Sequence, residues 1–253
     1  MAGKRRVQED FPPITRSDFA KYLEAASERV YVRKPELAGR DASLLAFEFL
    51  LKSRVSEATG RRYPDYGKAI ENVEFVDEWR GLCMRDFKKA TVKGVAVLRV
   101  HMRVLKRGRR KRICPKCEKK NALDSKFCRF CGAGILKAKF DCRLKEHFEW
   151  DSVRLDDPFV KYILEWIKWK YENGAGANAR VWAITRNRAW QIMRDLGIMN
   201  HTQRHWRATQ LADVLDPFEL KESLHRATMP FEYVHRSESR RIEKEAEVDR
   251  KWA

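Results

Sequence analysis

Arg54 lies in the run Ser53-Arg54-Val55-Ser56-Glu57, and about a hundred and fifty positions later the chain reads His201-Thr202-Gln203-Arg204-His205-Trp206. Leu224-His225-Arg226 and then Tyr233 follow. Two guanidinium groups can hold both non-bridging oxygens of a phosphodiester while negative charge gathers on them. A phenol can attack the phosphorus, although with an unperturbed pKa of about 10 only around one in a thousand is ionised at neutral pH. Basic surroundings lower that barrier, and a histidine can accept the proton. His201 and Arg204 are three residues apart, so one helix face can present both to a single phosphate. Each pattern alone is ordinary: Arg-Val-Ser-Glu more often ends a solvated helix, and a lone late tyrosine usually packs. Together, in that order, they are the parts needed to cut a DNA phosphodiester through a protein tyrosine.

A second constellation is formed by cysteines. Cys114-Pro115-Lys116-Cys117 and Cys128-Arg129-Phe130-Cys131 are separated by ten residues. Each Cys-x-x-Cys turn can give two thiolates to one tetrahedral ion, and two turns close the site. Four thiolates leave no open position, so the expected Zn2+ is structural, one ion that folds its module. Apparent binding energies near 10–16 kcal/mol are typical of such sites. Disulfides are the competing reading and are disfavoured in a reducing compartment. Cys83 and Cys142 fall outside the set and read as buried small residues. Residues 113–135 resemble zinc-ribbon modules, with Asn121, Phe127 and Gly132 at the supporting positions.

The chain has 253 residues, 43% of them hydrophobic, which suits one medium domain with an insertion or two small ones. A formal charge of +18 with 36% charged residues points to a polyanionic partner, and nucleic acid is the natural one. The excess is clustered: Lys106-Arg107-Gly108-Arg109-Arg110-Lys111-Arg112 holds six basic residues in seven. Arg107, Arg109, Arg110, Lys111 and Arg112 are the expected DNA-backbone contacts. No apolar run approaches the roughly 20 residues that span a bilayer, and the N-terminus lacks the apolar segment of a secretory signal. A cytoplasmic protein, or one of a host cell's interior, is expected.

The elements that must position these groups are mostly helical. Thr15 or Ser17 caps a first helix carrying Phe19, Tyr22, Leu23 and Ala26. Asp41 opens an apolar helix through Leu44 to Leu51, too continuous for a surface helix, with Arg54 at its end. Residues 59–82 resist assignment beyond a loop at 60–67. Residues 92–105 alternate and favour strands, the basic cluster reads as a hairpin tip, and His147 to Leu155 as the returning strand. Asp157-Pro158 starts a helix with Val160, Ile163, Leu164, Ile167 and Tyr171 on one face, stopped by Asn173-Gly174. Further helices run from Thr185 to Leu196, through Ala208, Leu211, Ala212 and Leu215, and from Asp216-Pro217. The expected class is mainly α with a small antiparallel β-sheet (α+β). Residues 1–11 form a flexible basic arm, 12–235 the main domain interrupted by the ribbon at 112–136, and 236–253 a charged helical tail.

Without the cysteine module, residues 12–235 resemble the catalytic domain of tyrosine recombinases, the phage-integrase family. Ser53-Arg54-Val55-Ser56-Glu57 matches that family's Gly-x-Arg-x-Ser-Glu in all but the opening residue, and His201, Arg204 and His205 match its His-x-x-Arg-His, followed by Ala208-Thr209. Tyr233-Val234-His235 resembles its Tyr-x-His, with the spacing from Leu224-His225-Arg226 about two residues short. The resemblance implies a tyrosine-recombinase catalytic fold in which Arg54 and Arg204 hold the phosphate. It further implies that Tyr233 attacks to give a 3′-phosphotyrosyl intermediate without catalytic metal, and that His201 takes the phenolic proton. A hairpin lysine, Lys106 by alignment or Lys111 as runner-up, would protonate the leaving oxygen. The remaining family position falls to His225 by chemistry or Arg226 by spacing. Glu57 reads as support for these groups.

Barely forty residues precede the Arg54 helix, too few for the helical DNA-clamping domain common in the family; the expectation is a minimal enzyme, a truncated one, or one whose grip has moved, with the ribbon's charge (Lys116, Lys119, Lys120, Lys126, Arg129) supplying part of it. The resemblance implies a site-specific recombinase or integrase of a mobile element or virus, with archaea as the expected host, acting on double-stranded DNA as a dimer or tetramer. A non-catalytic zinc-ribbon regulator and a type IB topoisomerase-like enzyme are the competing readings.

Overall fold

The computed structural model describes residues 14–63, 73–105, 111–143, 146–198, 202–212 and 214–224. They form a mixed α and β fold of seven α-helices and three small sheets. The single sheet expected from the sequence is thus three, because each group of short strands pairs separately.

Helix α1 (Arg16–Ser27) is started by Thr15, whose hydroxyl accepts the Asp18 N–H at 3.0 Å while the Asp18 carboxylate takes the Thr15 hydroxyl at 2.7 Å. This reciprocal cap satisfies donors that the first turn leaves open. Its buried stripe of Phe19, Leu23 and Ala26 lies on α2 (Leu37–Leu50), where Phe19 stacks on Phe49 at 3.9 Å. Helix α2 is buried all round from Arg40 to Leu50, as its continuous apolar run implies. It begins before Asp41, which is no cap. The carboxylate is fully buried and accepts Arg40 Nε and Nη2 at 2.9 and 2.7 Å and the Tyr31 hydroxyl. A buried charge of this kind persists because it is paired and hydrogen-bonded.

Helix α4 (Val160–Glu172) packs along α2. Its buried face is Val160, Ile163 and Trp166, while Tyr171, expected on it, is 55% exposed. The last turn runs past the core's edge, ending at Asn173. Helix α5 (Arg186–Asp195) is capped by Thr185, α6 is Thr202–Ala212, and α7 (Pro217–Ser223) is capped by Asp216 with proline in its first turn.

Of the residues that resisted assignment, β1 (Arg61–Tyr63) pairs antiparallel with β3 (Asp77–Trp79) after the short helix α3 (Val55–Thr59). Two glycines permit this. A Cβ on Gly60 would meet the Arg80 backbone at 2.7 Å, and one on Gly81 the Ala58 carbonyl at 2.7 Å, both at positive φ. Backbone meets backbone there, where only glycine fits.

Strands β4 (Phe87–Val92), β5 (Val95–Arg103) and β9 (Phe148–Arg154) form an antiparallel sheet in that order. The period of two sends Leu98, Val100 and Met102 into the core. The cysteine module lies between β5 and β9 in the chain, as the sequence implies. Its strands β6 (Lys111–Ile113), β7 (Lys120–Ala122) and β8 (Phe140–Asp141) pair in the order β8-β6-β7, and β8 also pairs with β2 (Val73–Phe75). Pairing therefore continues past residue 136 and ties the module to the body. Asp141 fastens that seam, accepting Arg143 Nε and Nη2 at 3.0 Å each and Lys120 Nζ at 2.8 Å. Chiefly through Arg143, and against the effect of burial, its carboxyl is held well below the usual carboxylate range.

Glu48, on α2, is 1% exposed and its Oε1 has no hydrogen-bond partner. Burial, aided by the negative charge of Glu57, pushes its carboxyl well above the ordinary range. A proton held more tightly in the folded chain stabilises it below the ordinary carboxylate pKa, and that contribution is lost as pH rises through the raised value. Glu48→Gln should therefore raise the melting temperature most at alkaline pH and flatten its decline with pH. Parallel melting curves for the two proteins across pH 5–9 would contradict this burial effect.

Candidate functional site

The segments carrying the candidate groups meet around two side chains, Arg204 and Glu57. Arg204, in the first turn of α6, is 8% exposed. Its Nη1 donates to the carbonyl of Lys52 and its Nη2 donates to the carbonyl of Leu224 at 2.6 Å. Lys52 stands two residues before Arg54, and Leu224 directly before His225. One guanidinium thus joins the end of α2, the start of α6 and the end of α7.

The Lys52 backbone is shaped for this contact. Its φ of 50° lies in the left-handed region that side-chain-bearing residues rarely adopt. The chain turns there between α2 and α3, while the 7% exposed Lys52 side chain reaches Asp151 on β9 at 3.2 Å. Conformational strain of this sort persists only where surrounding contacts over-determine it.

Glu57, 4% exposed in α3, gathers the other side. Its Oε2 accepts the Arg54 N–H at 2.8 Å and its Oε1 accepts Arg54 Nη1 at 2.8 Å. The same Oε1 accepts the N–H of Leu105 at 3.2 Å, the residue immediately before Lys106. The carboxylate that holds the first arginine also holds the end of the strand leading to the candidate lysine. Glu57 thus holds both the backbone and the side chain of Arg54. A guanidinium carries five donors, and Glu57 takes one from Arg54. The Nε–Nη2 edge makes no hydrogen bond among the described residues, and that edge suits bidentate contact with an oxyanion.

Arg54 and Arg204 are therefore brought to the same stretch of backbone. Lys106, His201, His225, Arg226 and Tyr233 lie outside the described residues, as do Arg107, Arg109 and Arg110. Lys111 is half-buried in β6. Arg112 is engaged within the module: its Nε donates to the Leu123 carbonyl at 2.7 Å, its Nη1 to the Ile135 and Leu136 carbonyls, and its guanidinium lies 4.6 Å over the Phe140 ring. Of the groups at this site, sequence reasoning missed Lys52 and Leu105, whose contributions are backbone atoms and leave no mark on residue type.

The four cysteine sulfurs, Cys114, Cys117, Cys128 and Cys131, lie within 4.8 Å of one another. The separations Cys114–Cys131 and Cys117–Cys128 are 3.5 and 3.6 Å, far beyond a disulfide bond of about 2 Å. A tetrahedral ion with bonds of about 2.3 Å sets its sulfurs roughly 3.8 Å apart, so the set is compatible with one metal ion. The knuckles also supply donors to sulfur. Asn121 Nδ2 reaches Cys128 Sγ at 3.4 Å, the Phe130 N–H reaches it at 3.5 Å, and Asn121 Oδ1 accepts the Arg129 N–H at 3.0 Å. Burial raises the Cys128 thiol, but the N–H groups of Phe130 and Cys131 and the Asn121 amide outweigh it and bring it down to about 6. Donors aimed at sulfur favour thiolate, the form that ligates metal. Cys142 is buried, as expected, and Cys83 half-buried.

Among the described residues no helix is long and apolar enough to cross a membrane. Compared with known proteins, the chain matches no protein-family model and no curated protein.

Proposed function

We propose that the chain is a DNA strand-breaking and rejoining enzyme of the tyrosine-recombinase type, with Tyr233 as nucleophile and Arg54 and Arg204 as the phosphate-holding pair. The observation that carries this reading is the bridge made by Arg204 between the carbonyls of Lys52 and Leu224. It draws together three segments distant in sequence, each next to a group the chemistry needs. The link from Glu57 to the N–H of Leu105 supports the same convergence for Lys106. In this reading the arginines neutralise the charge growing on the non-bridging oxygens, and His201 receives the phenolic proton. Lys106 donates one to the departing 5′ oxygen, and His225 or Arg226 completes the set.

The four cysteines would hold one structural Zn2+, which folds the inserted module and takes no part in the cleavage. The exposed Lys116, Lys119, Lys126 and Arg129 on that module give it charge for the DNA backbone.

A nicked duplex that loses a short fragment on cleavage traps the covalent intermediate. On a denaturing gel the chain should form a DNA adduct without added divalent metal. An adduct on one sequence fits a recombinase, and an adduct on any duplex fits a topoisomerase-like enzyme. No adduct on duplexes that carry a sequence the chain itself selects from a random pool would leave only a DNA-binding protein.

A further inference from the structure

A cleft of about 810 Å3 opens where β1, β3 and the start of α5 meet. Among the described residues its wall carries Arg61, Arg62, Arg80, Arg180 and Arg186 and one acid, Glu78. Like charges do not collect in a concave wall without cost, because a low-dielectric concavity focuses their field. Arg180 is half-buried in this wall: desolvation lowers its pKa, and its Nη2 donates to the carbonyls of Thr59 and Ile184, with no carboxylate among its hydrogen-bond partners in the described residues. Arg80 and Arg186 stand exposed at the rim. The close backbone contact at Gly60 and Gly81 holds the floor, and Thr185 and Asn187 bring the N-terminus of α5 to the same wall. Helix N-termini attract anions through their free N–H groups and dipole, which here adds to the arginines.

We propose that this cleft binds a run of closely spaced phosphates, carried either by a nucleic-acid strand or by a free nucleoside polyphosphate. The volume suits such a ligand, and guanidinium forks favour phosphate over other anions. Trp79 lines the cleft, and its indole N–H donates to the carbonyl of Glu57 at 2.9 Å. The cleft is thus joined through Trp79 to the backbone of Glu57, the residue whose carboxylate holds Arg54. Gly60 follows Arg54 by the length of α3, about 9 Å at 1.5 Å per residue. That span places the cleft within a few nucleotide steps of Arg54 along a strand. The assignment rests on the cleft itself and stands whether or not Tyr233 cleaves DNA.

The test uses the full zinc-loaded chain and the double variant Arg80→Glu/Arg186→Glu, with Arg80→Gln/Arg186→Gln as a milder second pair. The control reverses two exposed charges elsewhere, Arg33→Glu/Lys34→Glu. Inorganic tripolyphosphate is titrated calorimetrically, and a labelled duplex is titrated over a range of salt concentrations. Two outcomes support the cleft. If it takes a strand, the slope of log affinity against log salt for the duplex falls by roughly 1.8 in the cleft variants, at about 0.9 per phosphate contact. If it takes a free polyphosphate, one tripolyphosphate binds per chain and the cleft variants weaken it at least tenfold. No change in either measurement, or equal losses in the control variant, overturns the proposal.

Discussion

Arg54→Ala and Arg204→Ala should each lower the rate of covalent adduct formation by about 10²–10³-fold, the usual consequence of removing one preorganised donor at a developing oxyanion. Both should also cost stability, for different reasons. Removing the Arg54 side chain leaves Glu57, 4% exposed, with the Arg54 and Leu105 N–H groups but without its cation. Removing Arg204 strips the donors from two carbonyls, those of Lys52 and Leu224, at a site 8% exposed. An unsatisfied buried acceptor costs about 1–3 kcal/mol. For a chain of this size each kcal/mol lowers the melting temperature by roughly 2–4 °C, so both variants should melt several degrees lower. Rapid-quench adduct assays with thermal melts of the same preparations separate chemistry from folding. A wild-type melt in Arg204→Ala would mean that Arg204 does not organise the site, and wild-type rates in both variants would remove the arginines from the chemistry.

On the proposed structural zinc site, chelation, or replacing Cys128 by serine, should unfold the cysteine module while sparing the helical body. The module's own core is Cys114, Cys128, Ile135 and Ala138, with few further apolar contacts. Such a core cannot replace the roughly 10–16 kcal/mol of apparent binding energy that structural zinc supplies. The separate core around α1, α2 and α4 draws on Phe19, Phe47, Phe49 and Ile163 and needs no ion. Hydrogen exchange after chelation should show lost protection at residues 111–141 and retained protection in α2. Metal analysis of the untreated protein should give one zinc per chain. A metal-free preparation with full protection in the ribbon would show that the thiols serve only as core.

Much of this architecture is written locally. Thr15, Thr185 and Asp216 announce helix starts because a cap is a contact between residues two or three apart. The cysteine pairs are legible because each knuckle is a four-residue turn, and the β5–β9 hairpin because alternation survives an insertion. The boundary of α2 was misplaced because Asp41 has the type of a cap but the environment of a buried ion-pair partner. Strands β1 and β3 were illegible for another reason. Each has three residues, and what holds them is the approach of two distant glycines. The same limit applies to the site. Arg54, Glu57 and Arg204 can be picked out by type, but the carbonyls that join them belong to Lys52 and Leu224, where any side chain offers the same oxygen. The arginine cleft is likewise a product of folding, drawn from three stretches none of which is unusually basic alone.

The most direct test of the account is to digest the DNA-linked protein from the nicked-duplex reaction and identify by mass spectrometry the peptide that carries the phosphate. The expected result is a single phosphodiester on the phenolic oxygen of Tyr233, absent from Tyr233→Phe. A DNA-linked peptide from elsewhere in the chain, or adduct persisting at wild-type level in Tyr233→Phe, would contradict it.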